Sequence, residues 1–159
     1  MTLNSSIALQ LIFCTVGCIG VGFWYHVKGK QFIFNAVGAF LTWGVEILAY
    51  NFTHSNFMAT FLAAVFVAAF AEVMARACRA PSTTFLTTGA FPLVPGASLY
   101  NSMYNAVQGH FTMAAYNLFQ VIAVAMAIAL GFIVFGILRR YIQFGMKYYR
   151  HKKRLRKRL

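Results

Sequence analysis

The chain has 159 residues, 60% of them hydrophobic and only 10% charged, with fourteen Lys and Arg against two acids, Glu46 and Glu72. A soluble domain carries about 25% charged residues, so this composition excludes an ordinary soluble globule and points to an all-α integral membrane protein. The net charge of +12 is local, because ten of the fourteen basic residues follow Leu138 and leave the body nearly neutral.

The opening residues, MTLNSS, lack the basic region of a cleavable signal peptide, so the first apolar segment is expected to be retained. A helix crossing the bilayer core needs about 20 apolar residues. Residues 6–25, 32–51, 57–77 and 111–138 each reach that length. In the first, Cys14 and Cys18 share a helix face with no His or acid nearby, so with Cys78 they read as small hydrophobes rather than as a disulfide or metal site. In the second, Glu46 lies near the outer end with no basic neighbour. It either binds an ammonium group, takes up a proton from outside, or reaches the interface and is solvated. The third presents Ala64, Ala68, Ala71 and Ala75 on one face, and the last has Ala123, Ala127 and Gly131 every four residues. Small residues at that spacing let membrane helices approach closely. Glu72 and Arg76 are four apart with the acid first, the better order for a helical pair. An unpaired carboxylate at the bilayer centre costs about 2.5 kcal/mol or more. The pair is therefore either a coupling or substrate-facing carboxylate gated by Arg76, or a structural ion pair.

The stretch from Arg79 to Tyr100, RAPSTTFLTTGAFPLVPGASLY, holds all three prolines, two glycines and a cluster of hydroxyls. Proline removes a backbone donor and clashes with the preceding turn, and the residue before it resists the helical region. The stretch predicts a broken helix: one piece to about Gly89, an unwound Pro92-Leu93-Val94-Pro95-Gly96, then a second piece. Residues 81–107 are long enough to make a fifth span; a re-entrant loop would leave four. Lys and Arg mark the cytoplasmic side of short loops. Lys28 and Lys30 follow the first span, none follows the second, Arg76 and Arg79 follow the third, none lies at 108–110, and the tail is basic. That alternation predicts five spans in a cell (inner or plasma) membrane, the N-terminus outside and the C-terminus cytoplasmic. Residues 1–138 then form the membrane domain and 139–159 a basic cytoplasmic tail.

Freed backbone at membrane depth is tolerated only against protein or a water-filled cavity, and transporters build substrate sites there. Candidate substrate-binding or coupling residues are Glu72, Arg76, Thr83, Thr84, Thr87, Pro92, Pro95, Gly96, Tyr100 and Asn101. With Asn105, Asn117 and Gln120 they offer hydrogen bonds to a small zwitterion, whose carboxylate suits a half-helix N-terminus. The alternative is that they bond neighbouring helices. The tail reads as a contact for anionic lipid rather than nucleic acid. No Gly-rich phosphate loop, nucleophile elbow or HExxH motif is present. No catalytic residue, metal or cofactor is expected, and the chain does not read as an enzyme.

The central residues resemble the hallmark of the threonine/serine exporter family, in its smaller, C-terminal-type membrane module. That module shows an acid and basic residues before a RAP-[AS]-T segment, then G-x-x-P-L-V-P-G followed by Tyr. Here these are Glu72, Arg76, Arg79 to Thr83, Gly89 to Gly96 and Tyr100. The long basic tail departs from the family's short ending. The resemblance implies a secondary exporter of small amino acids, driven by the membrane gradient, whose larger partner subunit is supplied by a second chain. It also implies a possible homo-oligomer. Two further functions stay open: an exporter subunit for small dicarboxylates such as succinate, and a non-transporting assembly subunit.

Overall fold

The computed structural model describes residues 3–24 and 29–156, with side chains for 9–24, 29 and 31–142. The described residues form helices and the turns between them. These are α1 (Leu3–Trp24), α2 (Lys30–Thr53), α3 (Asn56–Cys78), α4 (Ser82–Ala90), a 3-10 turn (Phe91–Leu93), α5 (Gly96–Val107) and α6 (Phe111–Arg156). Gln31–Thr53, Asn56–Cys78 and Phe111–Ile142 are each long and apolar enough to cross a bilayer, and Leu9–Trp24 is a shorter apolar stretch. The all-α membrane fold expected from composition is the fold observed. Lys28, and the side chains of Lys30 and of the tail beyond Ile142, lie outside the described residues.

Helix ends follow local chemistry. α2 and α3 each stop where a residue enters the left-handed region, His54 and Arg79, both at φ 50°. Their N–H groups turn back to the carbonyls of Tyr50 and Ala75. Ala80 N–H also reaches Ala75 O at 3.1 Å, and Pro81 then bars any continuation of α3. Inside the helices, Thr15, Thr42 and Thr53 donate their hydroxyls to the carbonyl four residues back. This satisfies each hydroxyl within its own helix.

α3 is the centre of the bundle. Ala63, Ala64 and Val67 are buried against Leu93 of the 3-10 turn, with Val45 of α2, Leu86 and Ala90 of α4, and Ile128 and Phe132 of α6 packed around them. The alanine face works as the spacing suggests: Ala64, Ala68 and Ala71 are buried, as are Ala127 and Gly131 opposite. At Gly131 a Cβ would lie 2.6 Å from Ala64 Cβ, 3.1 Å from Phe61 O and 3.2 Å from Val65 N. Only glycine permits this approach.

Two contacts fix the relative direction of α3 and α6. Gly131 meets Ala64, and Arg139 meets Glu72. Both keep the same offset of 67 residues, so the two helices run in the same direction. The chain between them must therefore travel back once. The leg that makes this return is α4, the 3-10 turn and α5. It starts antiparallel to α3, with Gly89 against Val67, and ends in a hairpin with α6 closed by Gly109 at φ 80°. In that hairpin Ser102 donates to Ala114 O at 2.9 Å. A re-entrant loop, which would send α6 off from the same end at which α3 stops, does not match this geometry.

Candidate functional site

The break falls where the prolines demand it. α4 ends at Ala90, Pro92 sits in the 3-10 turn, Val94 is extended, and Pro95 caps α5 with Gly96 as its first residue. Val94 N–H bonds Phe91 O at 3.2 Å, Gly96 N–H bonds Val94 O at 2.8 Å, and Leu99 N–H bonds Pro95 O at 3.0 Å. Ala97 and Ser98 are then the first-turn residues whose N–H groups have no carbonyl four residues back within α5. The break is seated in protein: α4 packs on α3 and α2 and touches α1, and the 3-10 turn packs on α2. Leu93 is its buried anchor.

The predicted hydroxyls divide. Thr83 and Thr84 supply carbonyls to the hydroxyl of Thr87, at 2.9 and 3.3 Å. Thr88, which is fully buried, donates to Thr84 O at 2.8 Å. These threonines bond their own helix in this state, with Thr83 and Thr87 exposed. Tyr100 is exposed and stacked on Tyr104 at 6.2 Å. Asn101 is exposed, and its carbonyl accepts from Asn105 at 2.7 Å. Asn117 donates to Met113 O, and Gln120 to the Tyr116 hydroxyl.

Glu72 and Arg76 form the expected pair, Nη2 to Oε1 at 2.7 Å and Nε to Oε1 at 3.0 Å. A second cation, Arg139 of α6, takes the other carboxylate oxygen at 2.9 Å. The three residues line a pocket of about 210 Å³ with Ala69, Val73, Phe135 and Ile142. Every lining residue belongs to α3 or α6. Val67, which meets α4, is five residues from Glu72, about 140° round the helix at 3.6 residues per turn. The carboxylate and the proline segment thus occupy different faces of α3, and the structure does not bring them together.

A third polar group lies between α2 and α3. Thr60, fully buried, donates to Glu46 Oε1 at 3.0 Å. Glu46 Oε2, Trp43 Nε1 and both amide atoms of Asn35 are sealed from solvent without a hydrogen-bond partner. Asn35, Thr42 and Glu46 fall on one face of α2 at spacings of seven and four. Sequence reading singled out Glu46 alone of these. The spacing was the available signal, hidden by the apolar residues between. Arg139 opens the basic tail in the sequence, which masks its place on α6 beside Glu72.

The family model "Threonine/Serine exporter, ThrE" matches residues 10–138. The chain belongs to the threonine/serine exporter family. No curated protein and no solved structure matches it. For this exporter-family chain the match takes in the whole broken segment, Glu72, Arg76 and Glu46, and stops one residue short of Arg139. The second cation on Glu72 therefore comes from outside the matched region.

Proposed function

We propose that this chain is the membrane subunit of a secondary exporter of small amino acids, threonine and serine, working with a larger partner subunit. The observation that carries the reading is the proline break anchored against α1, α2 and α3, with Leu93 buried and Phe91, Val94, Gly96 and Ala97 left accessible. It supports a site in which unwound backbone and the first turn of α5 bind the ends of a zwitterion, the N–H groups of Ala97 and Ser98 toward its carboxylate. In this reading Thr83, Thr84, Thr87, Tyr100 and Asn101 border the path, while Glu72 with Arg76 and Arg139 latches α3 to α6 on a separate face of α3. The common direction of α3 and α6 supports five crossings of the cell membrane, and the Lys and Arg pattern of the loops supports an N-terminus outside and a cytoplasmic basic tail facing anionic lipid. The catalytic inventory is empty in this reading: the chain moves a solute and makes no bond.

A second reading, export of a small dicarboxylate, is favoured by the surplus of guanidinium over carboxylate at Glu72. Efflux of labelled threonine and labelled succinate, from cells expressing the chain with and without its partner, separates the two. Pro92→Ala combined with Pro95→Ala should abolish threonine efflux while assembly persists. Unchanged efflux in that variant, with normal assembly, would leave only the assembly-subunit role.

A further inference from the structure

Glu46 is an interior acid that the proline segment leaves unused. It sits seven residues before the end of α2, about 10 Å along the axis. One carboxyl oxygen accepts from Thr60, and the other is sealed with no partner. Its neighbours carry no compensating charge. Among the described residues, α4 and the 3-10 turn hold nothing titratable, and α1 offers only Cys14 and Cys18, with Cys14 in electrostatic reach of the carboxyl. α3 faces it with Thr60; its charged residues, Glu72 and Arg76, pair with each other about three turns away. Trp43, one turn back on α2, brings a second sealed and unpaired polar atom, and that atom is a donor.

A bare carboxylate in such a place carries a heavy desolvation penalty, and one neutral hydrogen bond does not offset it. A proton removes the charge and needs no volume. We propose that Glu46 is a proton-loading site, the residue through which this family member takes up and releases H⁺. In the arrangement seen here Oε1 is the carbonyl oxygen held by Thr60, and the proton resides on Oε2. When α2 and α3 part and water reaches Oε2, the O–H bond breaks, the proton passes to that water, and the carboxylate is left on Glu46. Asn35, on the same face about 16 Å away at 1.5 Å per residue, is a second unpaired polar station on that stripe. The coupling role rests on the export reading, but the proton itself does not.

The chain makes the test simple, because Glu46 and Glu72 are its only acidic side chains. Glu72 pairs with two guanidinium groups, those of Arg76 and Arg139. Infrared spectra of the purified full-length protein in an ester-free detergent, with ¹³C-labelled glutamate, should show one protonated-acid carbonyl band at neutral pH. That band should vanish in Glu46→Gln and persist in Glu72→Gln. Thr60→Val should shift its frequency, since the hydrogen bond to Oε1 is gone. Absence of the band at neutral pH, or its survival in Glu46→Gln, overturns the proposal. If Glu46→Gln does not fold, an unshifted band in Thr60→Val overturns it. A band that behaves as expected in a protein that exports nothing leaves the proton site standing and refutes only the export reading.

Discussion

The contact between Gly131 and α3 gives the sharpest test of the fold. Gly131→Ala would place a methyl 2.6 Å from Ala64 Cβ, where carbon atoms normally rest about 3.5–4.0 Å apart. Behind it lie Phe61 O at 3.1 Å and Val65 N at 3.2 Å, both backbone atoms that cannot swing aside. α3 and α6 must separate by about 1 Å, and overpacking on this scale costs about 1–3 kcal/mol. The unfolding equilibrium should shift by about 5- to 150-fold, measured by SDS titration in mild detergent with a helical-signal readout. Adding Ala64→Gly removes the nearest contact and leaves the backbone ones, so the double variant should regain part of the loss. A Gly131→Ala protein as stable as the parent would mean that the helices do not meet here, and the common direction of α3 and α6 would lose one of its two supports.

Other outcomes follow from the same packing. Arg76→Gln or Arg139→Gln alone should cost under about 1 kcal/mol, since both guanidiniums are well exposed and Glu72 keeps one partner. The double variant should lose more than the sum, because it strands the carboxylate, a non-additivity that a double-mutant cycle reads directly. Gly89→Ala drives a Cβ to 2.5 Å from Val67 Cγ2 and should destabilise the seat of α4. Here the obstacle is a side chain, so Val67→Ala should rescue it in the same unfolding assay.

Much of the framework was legible from the residues. Apolar runs gave the long helices, and the Pro92–Gly96 spacing gave the break, because proline chemistry acts locally whatever surrounds it. The alanine and glycine spacings marked a close-packing face on α3 and another on α6, without saying that the two meet. What the sequence could not carry is pairing across the bundle. Glu72 and the threonines of α4 are near in the chain, yet α4 packs on a different face of α3 from the one that carries Glu72, since a few residues of helix turn a side chain away. Arg139 reaches Glu72 only because α6 runs alongside α3. The unpaired polar atoms of Asn35 and Trp43 are visible only once burial is known, as their residue types are unexceptional in a membrane helix.

α6 extends without interruption from Phe111 to Arg156, 46 residues, or about 69 Å at 1.5 Å per residue. The hydrocarbon slab is about 30 Å thick, so more than half of this rod has no need to be inside it. A rigid rod transmits a twist from one end to the other. Arg139 lies on that rod, so its ion pair with Glu72 ties the whole length of the helix, inside the slab and beyond it, to α3.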